Sequence, residues 1–390
     1  MRKVINDYLG EFDLDIRKSR NARFVDQKCT PDIVCFMADC VMNIVATKPI
    51  FVINDIWESQ FFIHNTRVIF NKPWANDKKA YNEYNKVLSQ PLKLLGYAHI
   101  LNVEIIDGAL TFSVANEDLL DYISRKDRNA YNFLYCYFMK VMSDSGFLKY
   151  FEEYAVNSVH DPVGARDEIY DRYHRLISGN TPSQSRLDIR RMFHKVFNVF
   201  AVEHHLHGSN GKIAYYSDLM YNKTNWRDMD KDKTMTRQEA LRPEIIEKQE
   251  IINNYYVQKA VALIRKIHTV SEVNDSWGKG EATQVHHIFP RYQYPQIAHY
   301  VENLILLTAT QHNTKAHPNN NTLLIDKDYQ LVCLLAKADS INKSLSKFGD
   351  KYYRKESFVY VINVGLAVDL STGLSFSEIK TKLVQIYNAA

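Results

Sequence analysis

The strongest constraint on the fold of this chain is a short histidine-rich segment near the C-terminus. The adjacent His286 and His287 end a β-prone run, and on a strand their side chains point to opposite faces. Pro290 then requires a loop, after which an apolar run at 304–307 leads into a helix start that contains His312. The segment therefore predicts a strand, a loop, an apolar run and a helix, with neighbouring histidines that can take different roles.

The composition excludes several classes of protein. No apolar run reaches the roughly 18 residues that a membrane span needs, and the polar start argues against a secretory signal. The 5 cysteines are odd in number and form no C-x-x-C pair, so we expect reduced thiols without a disulfide framework or a zinc ribbon. These features predict a cytoplasmic protein without a membrane partner, long enough for about two to three domains.

The net charge gives little guidance about partners. The chain carries 49 Lys and Arg residues against 45 Asp and Glu residues, a formal balance of +4. A balance this small does not by itself indicate a nucleic-acid partner, but it can hide local basic segments. One such segment runs from Arg17 to Arg23.

Three helices are predicted in the first hundred residues. A Thr-Pro pair at residue 30 begins the first, and an Asn-Asp pair at residue 54 begins a second, which contains Ile56, Trp57, Phe61 and Phe62. A third helical stretch runs from about Lys78 to Leu95, and we expect Pro91 to interrupt it and Gly96 to cap its end.

A β-hairpin is predicted after the third helix. Alternating segments at 100–106 and 109–114 are joined by Asp107-Gly108, a dipeptide typical of tight hairpin turns. With a short β-prone run between the first two helices, residues 1–115 resemble a winged helix-turn-helix domain. The resemblance implies that the third helix enters the DNA major groove and that the hairpin is the wing. A small helical domain whose hairpin only packs is the alternative.

Several basic side chains are candidates for DNA contact, with an ordinary solvated face as the alternative for each. They are Arg17, Lys18, Arg20 and Arg23 in the basic arm, Lys86 and Lys93 on the third helix, and Arg291 after the paired histidines.

The middle of the chain, residues 116–260, is predicted to be helical. It contains a cluster of three histidines, His204, His205 and His207, at the end of an amphipathic helix. Three histidines within four residues cannot all face one ion on a helix. We therefore assign this cluster no role, with surface and core histidines as the simpler interpretation.

Three motifs stand in order between residues 281 and 318. They are H-H-I-x-P at 286–290, E-N-L-x-L-L at 302–307 and H-N-x-K at 312–315. Together they resemble the HNH nucleases, whose catalytic unit is a β-hairpin packed on an α-helix around one metal ion, the ββα-metal module.

The resemblance implies one role for each matching residue. His287 matches the general base, a task that suits a neutral imidazole with an ordinary pKa of about 6.5. His286 and His312 match the two metal ligands, and Asn303 matches the asparagine that ties the loop so that the base keeps its orientation. A polar core, or a decayed and inactive module, is the alternative for these residues.

Two more residues at the helix start are candidates for an auxiliary role. Lys315 or His317 matches a contact to the scissile phosphate, and His317 is also a candidate third ligand. His317 falls one position later than the family's usual spacing. Many family members add a four-cysteine zinc clamp, which this chain cannot form, so packing must hold the module in place.

The resemblance implies one divalent metal ion in each active site. Magnesium is the expected ion, and the imidazole ligands leave manganese, nickel, cobalt and zinc as alternatives. Hydrolysis is expected to leave 5′-phosphate and 3′-hydroxyl ends.

The sequence therefore predicts a mostly helical α+β chain with several domains. We expect a winged-helix DNA-recognition domain at 1–115, a helical region at 116–260, an HNH nuclease module at 261–325 and a supporting region at 326–390. Such a chain most resembles a bacterial type II restriction endonuclease, a hydrolase of double-stranded DNA that works as a homodimer. A companion DNA methyltransferase encoded nearby would protect the host.

Two other interpretations stay open from the sequence. One is a different nuclease of the same chemistry, either modification-dependent, active in phage defence, or homing. The other is a winged-helix DNA-binding protein with an inactive HNH remnant. The presence of His287 favours an enzyme over a remnant.

Overall fold

The computed structural model describes residues 1–70, 81–158, 161–221, 243–316 and 326–389. In this part of the chain the protein is mostly helical with small antiparallel sheets, which confirms the predicted α+β class. The chain divides into two compact units, residues 2–242 and residues 243–390. The predicted finer division into four regions stays a prediction. Among the described residues, no helix has the length and apolar character needed to cross a membrane.

The N-terminal unit, residues 2–242, combines helices with one three-stranded sheet. Its strands are β1 (Ile50–Val52), β2 (Leu101–Ile106) and β3 (Ala109–Val114). Its helices are α1 (Arg2–Leu9), α2 (Ile16–Ser19), α3 (Pro31–Val45), α4 (Ile53–Trp57), α5 (Gln60–Phe70), α6 (Tyr81–Tyr97), α7 (Glu117–Arg125), α8 (Asp127–Asp144), α9 (Leu148–Asn157), α10 (Pro162–Asn180) and α11 (Arg186–Glu203).

The predicted hairpin is present, and it is part of a larger sheet. β3 lies between β1 and β2 and pairs antiparallel with both. Asp107 and Gly108 both adopt positive φ angles, 52° and 76°, as the two-residue turn requires. The sheet is fixed to the core through Phe51 and Phe112, which are register partners with stacked rings.

The predicted second helix is divided into two. Ser59 explains the break, because its hydroxyl donates to the Ile56 carbonyl and accepts the Phe62 amide of the next helix. Ser59 therefore closes α4 and begins α5, a capping pattern that competes with a continuous helix. The prediction of one uninterrupted helix here was wrong.

Two predictions about the third helix were also wrong. α6 continues through Pro91, and it runs past Gly96 to Tyr97. Gly96 is needed for packing rather than for capping, because a Cβ at this position would lie 2.3 Å from the Val103 Cγ2 atom of β2. The reversal after the helix falls instead on His99, which has a φ of 57°. The predicted start of this helix near Lys78 lies outside the described residues.

The C-terminal unit, residues 243–390, surrounds a two-stranded sheet with helices. Every residue of the second strand is buried, so both faces of that strand are covered. The elements are α12 (Pro243–Ile267), β4 (Ala282–His287), β5 (Leu304–Thr308), one π-helical turn (Gln311–Ala316), α13 (Lys327–Phe348), α14 (Lys355–Leu366) and α15 (Phe376–Ala389).

Candidate active site

The hairpin of β4 and β5 presents the paired histidines to different surroundings. The strands are antiparallel, with His286 opposite Ile305 and His287 opposite Leu304. Alternation along the strand sends the two imidazoles to opposite faces, as predicted. The loop between the strands then brings the chain back, so that the π-helical turn begins shortly after β5 ends.

His286 and His312 lie next to each other. Their ring centres are 5.4 Å apart and their planes are nearly perpendicular, at 80°. His286 is only 8% exposed, whereas His312 is half-buried on the first part of the π-helical turn. The structure thus brings together the two residues that the sequence predicts as metal ligands.

The chemistry of this pair suits a divalent ion. Imidazole nitrogens bind such ions at about 2.0–2.1 Å, so two rings at this separation can share one. His312 Nδ1 lies 2.9 Å from the Asn313 side-chain oxygen, which can only accept, so Nδ1 is the donor and Nε2 carries the lone pair. Metal-binding histidines commonly donate their other ring nitrogen to an oxygen in this way.

Within the described ranges, this pair supplies two candidate ligands for such an ion. Within the ranges that the structure describes, no group of three His, Cys, Asp or Glu side chains is placed to hold a metal. An ion held by this pair would take its remaining ligands from water, from the substrate or from residues outside the described ranges. An open coordination sphere is typical of catalytic rather than structural sites.

His287 is fixed in one tautomer. Its Nε2 lies 3.0 Å from the carbonyl oxygen of Ala298, and a carbonyl can only accept, so Nε2 carries the proton. The lone pair is therefore on Nδ1. Burial lowers the pKa of His287, the positive charge of Arg291 lowers it further, and the bond to Ala298 opposes both. The imidazole is therefore neutral near pH 7 and able to accept a proton.

Asn303 ties the two ends of the loop after His287. Its side-chain oxygen accepts the Phe289 amide at 2.9 Å, and its nitrogen donates to the carbonyls of Phe289 and Ile297 at 3.0 and 3.3 Å. The residue is fully buried. Since Ala298 directly follows Ile297, these bonds hold the carbonyl that orients His287. Asn303 uses its amide within the loop rather than toward the histidine pair.

The auxiliary candidates are placed unequally. Lys315 lies on the same π-helical turn as His312, with its ammonium group 5.3 Å from the centre of the Trp277 ring. Arg291 hydrogen-bonds to Asn254 of α12. His317 lies outside the described residues.

The basic arm near the N-terminus is largely neutralised by its own aspartates. Arg20 is exposed and ends α2 with a φ of 52°. The three other candidates of the arm each form an ion pair, and paired cations make weaker phosphate contacts than open ones. The pairs are Arg17 with Asp15 at 2.7 Å, Lys18 with Asp13 at 2.5 Å and Arg23 with Asp26 at 2.5 Å.

The helix and hairpin of the predicted recognition domain differ in charge. Lys86 and Lys93 are both exposed on α6. The hairpin of β2 and β3 carries Glu104 and Asp107 but no lysine or arginine. Contacts to DNA phosphates therefore fit the helix better than the hairpin.

The three histidines after α11 do not form a cluster. His204 ends the helix and contacts the Tyr135 hydroxyl at 3.3 Å, and His205 has a φ of 54°. His207 forms an isolated β-bridge with Ile213. The structure thus places each of them in a separate local setting.

Sequence reasoning missed three groups around the candidate site. The Ala298 carbonyl could not be found, because a backbone acceptor leaves no trace in residue identity. Gln311 and Gln330 are buried or half-buried amides that bind the loops on each side of the histidines. The only available signal was the position of Gln311, directly before the predicted ligand His312.

Comparison with known proteins adds nothing to this picture. No family model, curated protein or solved structure matches the chain. The functional interpretation therefore rests on the geometry and on the motif resemblance.

Proposed function

We propose that this protein is a metal-dependent endonuclease of the HNH type that hydrolyses double-stranded DNA. The observation that carries the proposal is the arrangement at one end of the β4–β5 hairpin. The imidazoles of His286 and His312 lie next to each other, and the imidazole of His287 is held in the tautomer that a general base needs. A structural role alone does not require both features together.

The chain's own residues suit the hydrolytic step. Water attacks the phosphorus atom, and Nδ1 of His287 takes the proton that the water loses. The bond from phosphorus to the 3′-oxygen breaks, and that oxygen is protonated to give a 3′-hydroxyl opposite a 5′-phosphate. The Asn303 bonds and the Ala298 carbonyl keep the imidazole in place during the transfer.

His286 and His312 are the residues that would hold a divalent ion, magnesium first among the candidates. When bound, such an ion supplies positive charge for the phosphate and the leaving oxygen. Lys315, on the same turn as His312, is suited to a phosphate oxygen of the substrate.

The biological role that fits this chemistry best is that of a cytoplasmic type II restriction endonuclease. HNH cleavage is largely indifferent to sequence, so target choice must come from elsewhere, and α6 with Lys86 and Lys93 is the proposed reader. One site cuts one strand, so the enzyme acts as a homodimer on double-stranded DNA. A companion methyltransferase is the expected means of host protection.

Cleavage of unmodified plasmid DNA tests the proposal. Wild-type protein is incubated with supercoiled plasmid and Mg²⁺, Mn²⁺, Ni²⁺, Co²⁺ or Zn²⁺, and the ends are sequenced. We expect discrete fragments with 5′-phosphates. His287→Ala should slow cleavage by about 10²–10⁴-fold, the usual contribution of a general base.

His204→Ala is the matched control, since this exposed histidine belongs to the other unit and should leave cleavage unchanged. A smear in place of fragments would support a nonspecific nuclease over a restriction enzyme. Absence of cutting with all five metals would favour the inactive remnant. Full activity in His287→Ala would refute the assignment of the base.

A further inference from the structure

We infer that two glutamines, Gln311 and Gln330, position the metal ligand and the general base separately. The inference rests on the proposed function and extends it beyond the motif residues. Neither glutamine contacts the substrate in this scheme. Each acts through the backbone next to one catalytic group, so both are positioning residues.

Gln311 fixes the turn that carries His312. It is fully buried and lies one residue before the ligand. Its side-chain oxygen accepts the Ser271 hydroxyl at 2.6 Å and the Thr308 amide at 3.0 Å, and its nitrogen donates to the Val273 carbonyl at 3.0 Å and to Asp275 Oδ1 at 2.8 Å. Both ends of one amide are thus satisfied.

Two partners of Gln311 form further hydrogen bonds. Asp275 also accepts the Tyr329 hydroxyl of α13 at 3.0 Å. Thr308 is the last residue of β5, and its hydroxyl oxygen accepts a hydrogen bond from the backbone N–H of Gln311 at 3.2 Å. The start of the π-helical turn is therefore fastened to the strand, to the loop before β4 and, through Asp275, to a helix.

Gln330 fixes the loop that follows His287. Its nitrogen donates to the Ile288 carbonyl at 2.7 Å, and its oxygen accepts the Tyr387 hydroxyl of α15 at 2.7 Å. Ile288 is the residue directly after the proposed base. These partners differ from those of Gln311, so the two amides hold different segments of the chain, one next to His287 and the other next to His312.

The two positions therefore predict two different defects. Loss of the Gln311 bonds should let His312 move away from His286 and weaken metal binding. Loss of the Gln330 bonds should disturb His287 and slow the proton transfer, while the metal ligands stay in place. A general loss of stability would not separate these two effects.

Gln311→Met and Gln330→Met test the inference, because methionine keeps the length of the side chain and removes its hydrogen bonds. Binding of Co²⁺ alone is measured by calorimetry and visible absorption, and plasmid cleavage is measured over a range of Mn²⁺ concentrations. We expect Gln311→Met to raise the Co²⁺ dissociation constant about 10–100-fold, as outer-shell changes commonly do. Excess Mn²⁺ should restore most of its cleavage rate.

Gln330→Met should give the reverse pattern. Its Co²⁺ affinity should equal that of the wild type, and its cleavage rate at saturating Mn²⁺ should fall about tenfold or more, with no recovery on adding metal. Urea unfolding checks that each variant is folded. If either methionine variant does not fold, Gln311→Asn and Gln330→Asn keep the amide but shift it by one methylene.

The outcomes separate this inference from the proposed function. A wild-type protein that neither binds Co²⁺ nor cuts DNA overturns the proposed function and the inference with it. A wild type that does both, with two variants that change the same quantity or change neither, overturns the positioning roles and leaves the nuclease standing. Opposite defects in the two variants support both.

Discussion

At the scale of single residues, the hydrogen bonds of Asn303 depend on the orientation of its side-chain amide. Its nitrogen points to two carbonyl oxygens and its oxygen to one amide, all in a fully buried setting. Each buried group left without a partner costs about 1–3 kcal/mol, and a charged one costs more. The carboxamide of Asn303 therefore contributes to stability as well as to the orientation of His287.

Asn303→Asp tests this dependence with almost no change in shape. The new carboxylate oxygen would face the carbonyls of Phe289 and Ile297 in place of a donor. We expect the free energy of unfolding to fall by roughly 3 kcal/mol or more, and cleavage to fall with it. Urea unfolding followed by circular dichroism gives the first quantity and the plasmid assay the second.

Asn274→Asp provides the comparison, because this asparagine is exposed in the loop before β4. Surface changes of this kind usually stay within about 0.5 kcal/mol. If both substitutions changed the free energy of unfolding by equally small amounts, the hydrogen bonds of Asn303 would not be needed for stability.

The residues of the candidate site were predictable to different degrees. His286, His287, Asn303 and His312 belong to short motifs whose spacing survives in the sequence. Gln311 was not predictable, since its partners Ser271, Val273 and Asp275 lie some 40 residues away along the chain. A side chain whose partners are distant in sequence leaves no local pattern.

At the scale of elements, helix α14 approaches the loop of the proposed base through a glycine. A Cβ built on Gly365 would lie 2.4 Å from two atoms of the Phe289 ring, too close for any real contact. Phe289 is itself buried, and its amide is the donor to Asn303. The helix therefore needs a residue without a side chain at this position so that the Phe289 ring can pack against it.

Gly365→Ala should disturb both the packing and the chemistry. Alanine favours a helix over glycine by about 1 kcal/mol, but forcing a methyl group into a packed site costs about 1–3 kcal/mol. We expect a net loss of stability by urea unfolding and slower plasmid cleavage, because Phe289 must move. In a double-mutant cycle with Phe289→Leu, the two substitutions should be coupled.

Gly179→Ala is the matched helical control, because a Cβ at this position in α10 would meet nothing within 4 Å. That substitution should be neutral or stabilising. An alanine at 365 that behaves like the one at 179 would mean that the ring moves aside without cost.

The elements themselves were predictable where the signal was local. Asp107-Gly108 specified a turn that needs positive φ at both residues, and the turn has them. Gly96 was misassigned as a helix cap because the atom that explains it, Val103 Cγ2, belongs to another element. Glycine marks a special position in both cases, but only tertiary packing decides between turning and close approach.

At the scale of the whole molecule, one buried ionic network joins the layers of the C-terminal unit. Lys337 of α13 is fully buried, with its ammonium group 3.1 and 3.2 Å from the two Glu272 oxygens and 2.9 Å from the Tyr353 hydroxyl. Glu272 also accepts the Leu306 amide of β5 at 2.9 Å, and His268 lies 2.7 Å from the Tyr353 hydroxyl. The network therefore links helix α13, the edge of the sheet and the segments next to α12 and α14.

Lys337→Met should destabilise the C-terminal unit. Methionine fills much of the space but leaves the Glu272 charge buried without its ammonium partner, a change that typically costs about 3–5 kcal/mol. Hydrogen exchange followed by mass spectrometry measures the effect along the chain. We expect faster exchange in the core of residues 243–389 and unchanged exchange in residues 2–221, because all four side chains of the network belong to the C-terminal unit.

Lys343→Met is the control on the same helix, since that lysine is exposed and its loss should stay within about 0.5 kcal/mol. Replacing both partners, as Lys337→Met with Glu272→Gln, should recover part of the lost stability, because no charge is then left buried. If Lys337→Met accelerated exchange equally in both units, the network would support the whole chain. If it accelerated exchange in neither, the buried ion pair would be energetically replaceable by packing alone.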